Sequence, residues 1–192
     1  MHRETIDFDE VLEKVREAFH KRKGYASFWD YPDKQVKERG VVKDLVEAIE
    51  LEEGACQIRH LVSNPDKYGA VDVFGTDILR RTIAYEVTEL VSEEAVRLNR
   101  RGLKVYKKWD AVNLVTKLEE RLTAKDEQLS TVTYNKQVVV IFTDEPFLSH
   151  HWCVPILSGH LFGPFANIDE AYLLFSYEPG REGYPYIRLR LN

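Results

Sequence analysis

Gln137-Val-Val-Val-Ile-Phe142 constrains this chain more than any other segment. A continuous apolar run bounded by polar residues leaves no side for water, so it reads as a strand buried on both faces. Ala171-Tyr-Leu-Leu-Phe-Ser-Tyr177 repeats the signature. Strands of this kind need a sheet covered above and below, and helical periodicity supplies the cover. Phe8 to Lys21 places Phe8, Val11, Leu12, Val15, Ala18 and Phe19 at helical spacing, with Asp7 as cap and Gly24 as stop. Val41 to Glu53 presents Val41, Val42, Leu45, Val46 and Ile49, ending at Gly54. Asp110 caps a long helix to Leu129 with Val112, Leu114, Val115, Leu118 and Leu122 as its stripe.

Between these helices the pattern turns to strands. Cys56–Val62, Ala70–Phe74 and Thr82–Val91 suit a meander, with Ser63–Asp66 as a turn and Gly75–Arg81 as a connection. Ser92 followed by two glutamates marks a capped helix start. Residues Phe147 to Leu161 read as a short helix and loop, Glu178–Gly183 as a turn, and Tyr186–Leu191 as a final strand with its arginines outward. The order is α-α-βββ-α-α-β-α-β-β, an α/β fold with a mixed sheet flanked by helices. A chain of 192 residues fits one domain. We divide it into an N-terminal helical segment (1–39), a core of about 40–142 and a strand-rich C-terminal extension (143–192).

Net charge is −5, from 27 basic and 32 acidic residues. That weakens the reading as a non-specific nucleic-acid coat, which needs a basic surface, but suits an enzyme whose acidic site holds a metal. No apolar run approaches the roughly 20 residues of a membrane span. The first residues carry no apolar leader core, and two cysteines, Cys56 and Cys153, make no disulfide framework, so a cytoplasmic protein with reduced thiols is expected. No Walker loop, dinucleotide fingerprint or G-x-S-x-G elbow is present, and no bound organic cofactor is expected.

The chemistry concentrates around Asn64-Pro65-Asp66, Asp72 and Glu86-Val-Thr88-Glu89. Strand alternation puts Glu86 and Thr88 on one face, with Tyr85, Val87 and Glu89 on the other. Asp72 and Glu86, on neighbouring strands, are expected to converge on one hard divalent cation, Mg²⁺ or Mn²⁺, which takes oxygen ligands. Such a metal activates water and stabilises charge on a phosphodiester under attack.

A Pro-Asp, a hairpin and a Glu on the next strand, behind a helix carrying an acid, resemble the PD-(D/E)XK nuclease-like proteins. The resemblance covers about residues 40 to 142 and implies a restriction-endonuclease-like core. It extends to bacterial members without a settled function, which have a similar Glu-Val-Thr-Glu strand, a Lys-Trp-Asp after a basic stretch and a later Thr-Asp-Glu-Pro. It implies that Asp66 or Asp72 and Glu86 hold the metal. The helix acid would be Glu47, or less directly Glu50, and Thr88 stands at the lysine position. Threonine cannot replace an ammonium. A lysine supplied from elsewhere, with Arg97 to Lys108 as the source, would restore the set.

That stretch carries Arg97, Arg100, Arg101, Lys104, Lys107 and Lys108 beside Tyr106 and Trp109. It is the expected contact for phosphates, with an aromatic ring to stack on a base. The expected partner is therefore nucleic acid. The rival is a catalytically inactive protein on the same scaffold, motivated by Thr88 and the aromatic Tyr25–Tyr31, binding a protein or nucleic-acid partner. A homodimer paired through Tyr186–Leu191 is a third reading. The acids of the 41–53 helix are otherwise a solvated face. His150, His151, Cys153 and His160 match no familiar zinc spacing, and Asp144 and Glu145 read as capping groups.

Overall fold

The computed structural model describes residues 33–54, 58–66, 69–129, 134–176 and 183–192. The helix expected over 8–21, the aromatic stretch 25–32, Cys56 and most of the 178–183 turn lie outside them.

Helix α1 spans Lys34–Glu53. The Asp33 carboxylate accepts the Val36 N–H at its start, and Gly54, at φ 74°, closes its end with an N–H to the Glu50 carbonyl. It begins seven residues before the expected helix, because Lys34–Gly40 is polar and shows little stripe. The division at residue 40 therefore falls inside α1.

The strands are β1 (Ile58–Ser63), β2 (Val73–Asp77), β3 (Thr82–Glu89), β4 (Lys136–Thr143), β5 (Glu170–Phe175) and β6 (Tyr186–Leu189). They form one sheet in that order. The first three pair antiparallel, β3-β4 and β4-β5 pair parallel, and β6 returns antiparallel. β2 starts three residues later than expected: the chain bends at Asp72, and Gly75-Thr76 pair with Thr82-Ile83 instead of forming a connection. The Asp77 carboxylate closes the hairpin by accepting the Leu79 and Arg81 N–H groups, each at 2.8 Å. Three further helices are α2 (Glu93–Arg100), α3 (Ala111–Leu129) and α4 (His150–Leu157). The α2–α3 pair makes the long crossover that parallel β3 and β4 require.

The sheet separates two cores. On one face Val41, Val42 and Leu45 of α1 pack on Ile83, Tyr85, Val87, Val140 and Phe142. On the other, Leu114, Leu118, Leu122 and Leu129 of α3, with Cys153 and Leu157 of α4, cover Ala84, Val139, Ile141 and Leu173. β4 is buried on both sides, as its apolar run requires. Val112 does not join the α3 stripe: it is 75% exposed, because two residues at 3.6 per turn carry it to the far side from Leu114. The alternation of β3 is as expected, and it puts Glu86, in line with Ala84, on the α3 face.

Candidate functional site

Continuing the β2-β3 register from Val73↔Tyr85 sets Asp72 opposite Glu86. Like charges directly opposed across strands are destabilising, so this pair needs a local account. Asp72 holds its place through the backbone. Its N–H donates to the Tyr85 carbonyl (3.1 Å), its carbonyl accepts from Asn64 (2.8 Å), and its Oδ2 accepts the Val87 N–H (2.9 Å). The bend before β2 thereby fixes a carboxylate between the two helical layers.

Each layer adds a charged side chain. From α1, Lys34 Nζ reaches Glu38 (3.1 Å) and Asp72 Oδ1 (3.3 Å). Glu38 is only 5% exposed. From α3, Lys125 Nζ donates to Glu86 Oε1, and Gln128 Nε2 donates both to that oxygen (3.1 Å) and to the Ala70 carbonyl (3.2 Å). Gln128 thus ties the Glu86 carboxylate to the segment carrying Asp72. Glu86 Oε2 is buried with no hydrogen-bond donor. A small cavity of about 100 Å³ opens beside Asp72, lined by Asp33, Lys34, Glu38, Asn64 and Asp66.

The electrostatics follow from this crowding. Burial, then the Asp72 charge, push the Glu86 carboxyl up to about 7 against the pull of Lys125. The same two causes push Glu38 up to about 7 against Lys34. Carboxylate oxygens are the ligands hard divalent cations take, and two of these acids, Asp72 and Glu86, are in contact. As the side chains stand, the cations beside these acids are Lys34 and Lys125. Among the described residues no three histidine, cysteine or acidic side chains are arrayed around one point.

Of the expected residues, Asp72 and Glu86 come together. Asp66 lies on the cavity rim, with its N–H on Asn64 Oδ1 (3.0 Å). Thr88 is half-buried on the Glu86 face. Glu47 is not part of the site: it is exposed and paired with Lys43 at 3.3 Å. Glu38 is the acid α1 contributes, and Lys125, rather than any residue of 97–108, is the lysine at Glu86. Both were detectable. Glu38 continues the Val41-Val42-Leu45 stripe one turn back, and Lys125 falls between Leu122 and Leu129 on the α3 stripe. A charged residue in a core stripe is the signal that was available.

The neighbouring acids take a different role. Glu145 is buried and accepts the Ser92 N–H (2.5 Å) and the Trp109 indole N–H (3.1 Å), which ties three loops together. Cys153 is buried, and burial pushes its thiol up to about 12; His150 and His160 lie edge-on to Phe175 and Phe162. No helix among the described residues is long and apolar enough to cross a membrane.

Comparison with known proteins gives no match: no family model, no curated protein and no solved structure aligns with the chain.

Proposed function

We propose that this chain is a metal-dependent nuclease-like protein that hydrolyses phosphodiester bonds of nucleic acid, on a restriction-endonuclease-like core running from α1 through β4. One observation carries the reading. Asp72, at the bend before β2, faces Glu86 of β3, with a buried Glu86 oxygen lacking any donor and Lys125 held against the same carboxylate. A carboxylate pair with an ammonium beside it supports a metal site, and α3 supplies the charge that Thr88 lacks.

Asp72 and Glu86 would hold Mg²⁺ or Mn²⁺, with Glu38 adding negative charge beside Asp72. When bound, the ion would neutralise phosphate charge and activate a water. Lys125 orients Glu86 and places a positive charge beside the pair, available to hold an attacking water or a developing oxyanion. Gln128 keeps the Glu86 carboxylate turned toward Asp72. The excess of carboxylates over ammoniums supplies the attraction for a divalent ion.

The Lys34 bridge between Glu38 and Asp72 favours a second reading, a metal-free ion-pair network on a scaffold used only for binding. Cleavage of a panel of labelled DNA and RNA substrates with Mg²⁺ and Mn²⁺ separates the two. Cleavage by the native chain and none by a folded Asp72→Ala/Glu86→Ala variant supports the enzyme. Cleavage by neither, with no metal-dependent rise in Tm, supports the binding scaffold.

A further inference from the structure

Three charged side chains lead from the acids to a groove. One turn N-terminal to Lys125 on α3 stands Arg121, which holds Glu93 of α2 at 3.2 Å. One turn further along α2 stands Arg97. There the end of β3 opens into a groove of about 470 Å³, lined by Glu89, Val91, Glu93, Arg97, Arg100 and Arg101. Glu93 is neutralised by Arg121. None of the three groove arginines pairs with a carboxylate among the described residues.

Beyond the groove's arginines the chain carries one ring of an aromatic shoulder. Tyr106 and Phe147 meet edge to face, ring centroids 6.0 Å apart, and are 50% and 57% exposed. Leu103, 53% exposed, lies in the same loop. The loop is fixed to α2, because Asn99 Nδ2 donates to both the Ala95 and the Val105 carbonyls. Phe147 is fixed through Glu145, which binds the start of α2 and Trp109. Glu89 pairs with Phe142 in parallel, so β3 and β4 end together and both features rise from the same end of the sheet. Large rings presented half-bare on a braced loop, beside three arginines, suit a strand whose bases are free to stack. Duplex bases are stacked on one another and offer these rings nothing.

We propose that the substrate is single-stranded nucleic acid, its backbone in the Arg97-Arg100-Arg101 groove and a base on the Tyr106–Phe147 shoulder. The proposal rests on the nuclease reading for its chemistry, but not for its test. Fluorescence anisotropy in EDTA, with a labelled 20-nucleotide oligothymidylate and a 20-base-pair duplex, measures binding without metal or cleavage. The single strand is expected to bind at least tenfold more tightly. Tyr106→Ala/Phe147→Ala weakens single-strand binding by about tenfold or more and leaves duplex binding unchanged, whereas Tyr106→Phe keeps the native affinity. Arg97→Gln/Arg100→Gln/Arg101→Gln lowers the slope of log affinity against log salt by about 2. Equal or tighter duplex binding overturns the proposal, as does an aromatic variant that binds like the native chain. Failure to bind any oligonucleotide also overturns it and marks the surface as protein-facing. Binding as expected without cleavage under any metal sinks the nuclease reading alone.

Discussion

Two carboxylate clusters belong to the same sheet, one on its α1 face and one joining both faces at the bend before β2, and they are built by opposite rules. On the α1 face, Glu170 of β5 accepts from Tyr172 Oη (2.8 Å), Lys136 (2.7 Å) and Arg188 (2.5 Å). Two cations and a hydroxyl surround one acid. Burial raises its carboxyl, but Lys136, Tyr172 and Arg188 outweigh burial and hold it below the usual range. Around Asp72, three acids share two ammoniums, and Glu38 and Glu86 are pushed up to about 7. The first arrangement stabilises the fold. The second crowds acids together out of water with fewer cations than carboxylates, which costs stability.

The largest test of that contrast is catalytic. On the proposed function, Glu86→Gln is expected to reduce cleavage by at least about a thousandfold, on the scale of losing a principal electrostatic group. Lys125→Met is expected to cost about a hundredfold. Thr88→Ala and Glu47→Ala should leave the rate within twofold. Initial rates with Mn²⁺ on the best single-stranded substrate measure all four. A strong loss from Glu47→Ala would mean that the acids grouped around Asp72 are not the functional ones.

Stability should move the other way. Without metal, Glu86→Gln relieves a like-charge contact and is expected to raise Tm. Glu170→Gln strips two cations of their partner and is expected to lower stability by about 1 kcal/mol, modest because Arg188 is largely exposed. Thermal melts of the two variants in EDTA decide it, and Tm shifts of the same sign in both would erase the distinction between the clusters.

The pH dependence sharpens the comparison. Glu38 and Glu86 titrate near 7 in the folded chain and near 4.5 when unfolded. The folded state therefore holds protons that the unfolded state has released between those values. Metal-free stability should be complete below about 4.5 on this account, and should decline as pH rises through 7. Glu170, held below its unfolded value, contributes with the opposite sign: its stabilisation is present above about 4.5 and is lost as pH falls through its lowered pKa. Melting curves from pH 5 to 8 should slope downward for the native chain and flatten for Glu38→Gln/Glu86→Gln.

The sheet was legible in the chain because its signals are local. The run at 137–142 and the alternation at 82–89 each reflect burial imposed on consecutive residues. The site was only half legible. Asp72 precedes β2 and Glu86 lies on β3, neighbours whose order the meander already implied. Glu38 and Lys125 come from helices on opposite faces, and no spacing rule joins residue 38 to 86 or 125. What marked them was a break in pattern, a charge where each helix needed an apolar side chain. The helix is expected from Val41 only, which leaves Glu38 outside it and makes Glu47, which faces water, the helix acid the resemblance implies.

Metal binding itself is the most direct probe of whether the charge surplus has a purpose. Mn²⁺ at ten times its dissociation constant should stabilise the native chain by about 1.4 kcal/mol, by mass action on the folded state alone. Protons compete for Glu38 and Glu86, so the rise in Tm should be larger at pH 8 than at pH 6, and one or more protons should be released on binding. The Glu170 cluster, already supplied with cations, predicts no contribution, and Glu170→Gln should keep the metal-dependent increment while Glu86→Gln loses it. An increment that is independent of pH, or that survives Glu86→Gln, would locate the ion elsewhere. Lys34 and Lys125 would then be sufficient counter-ions, and the three acids a network closed on itself.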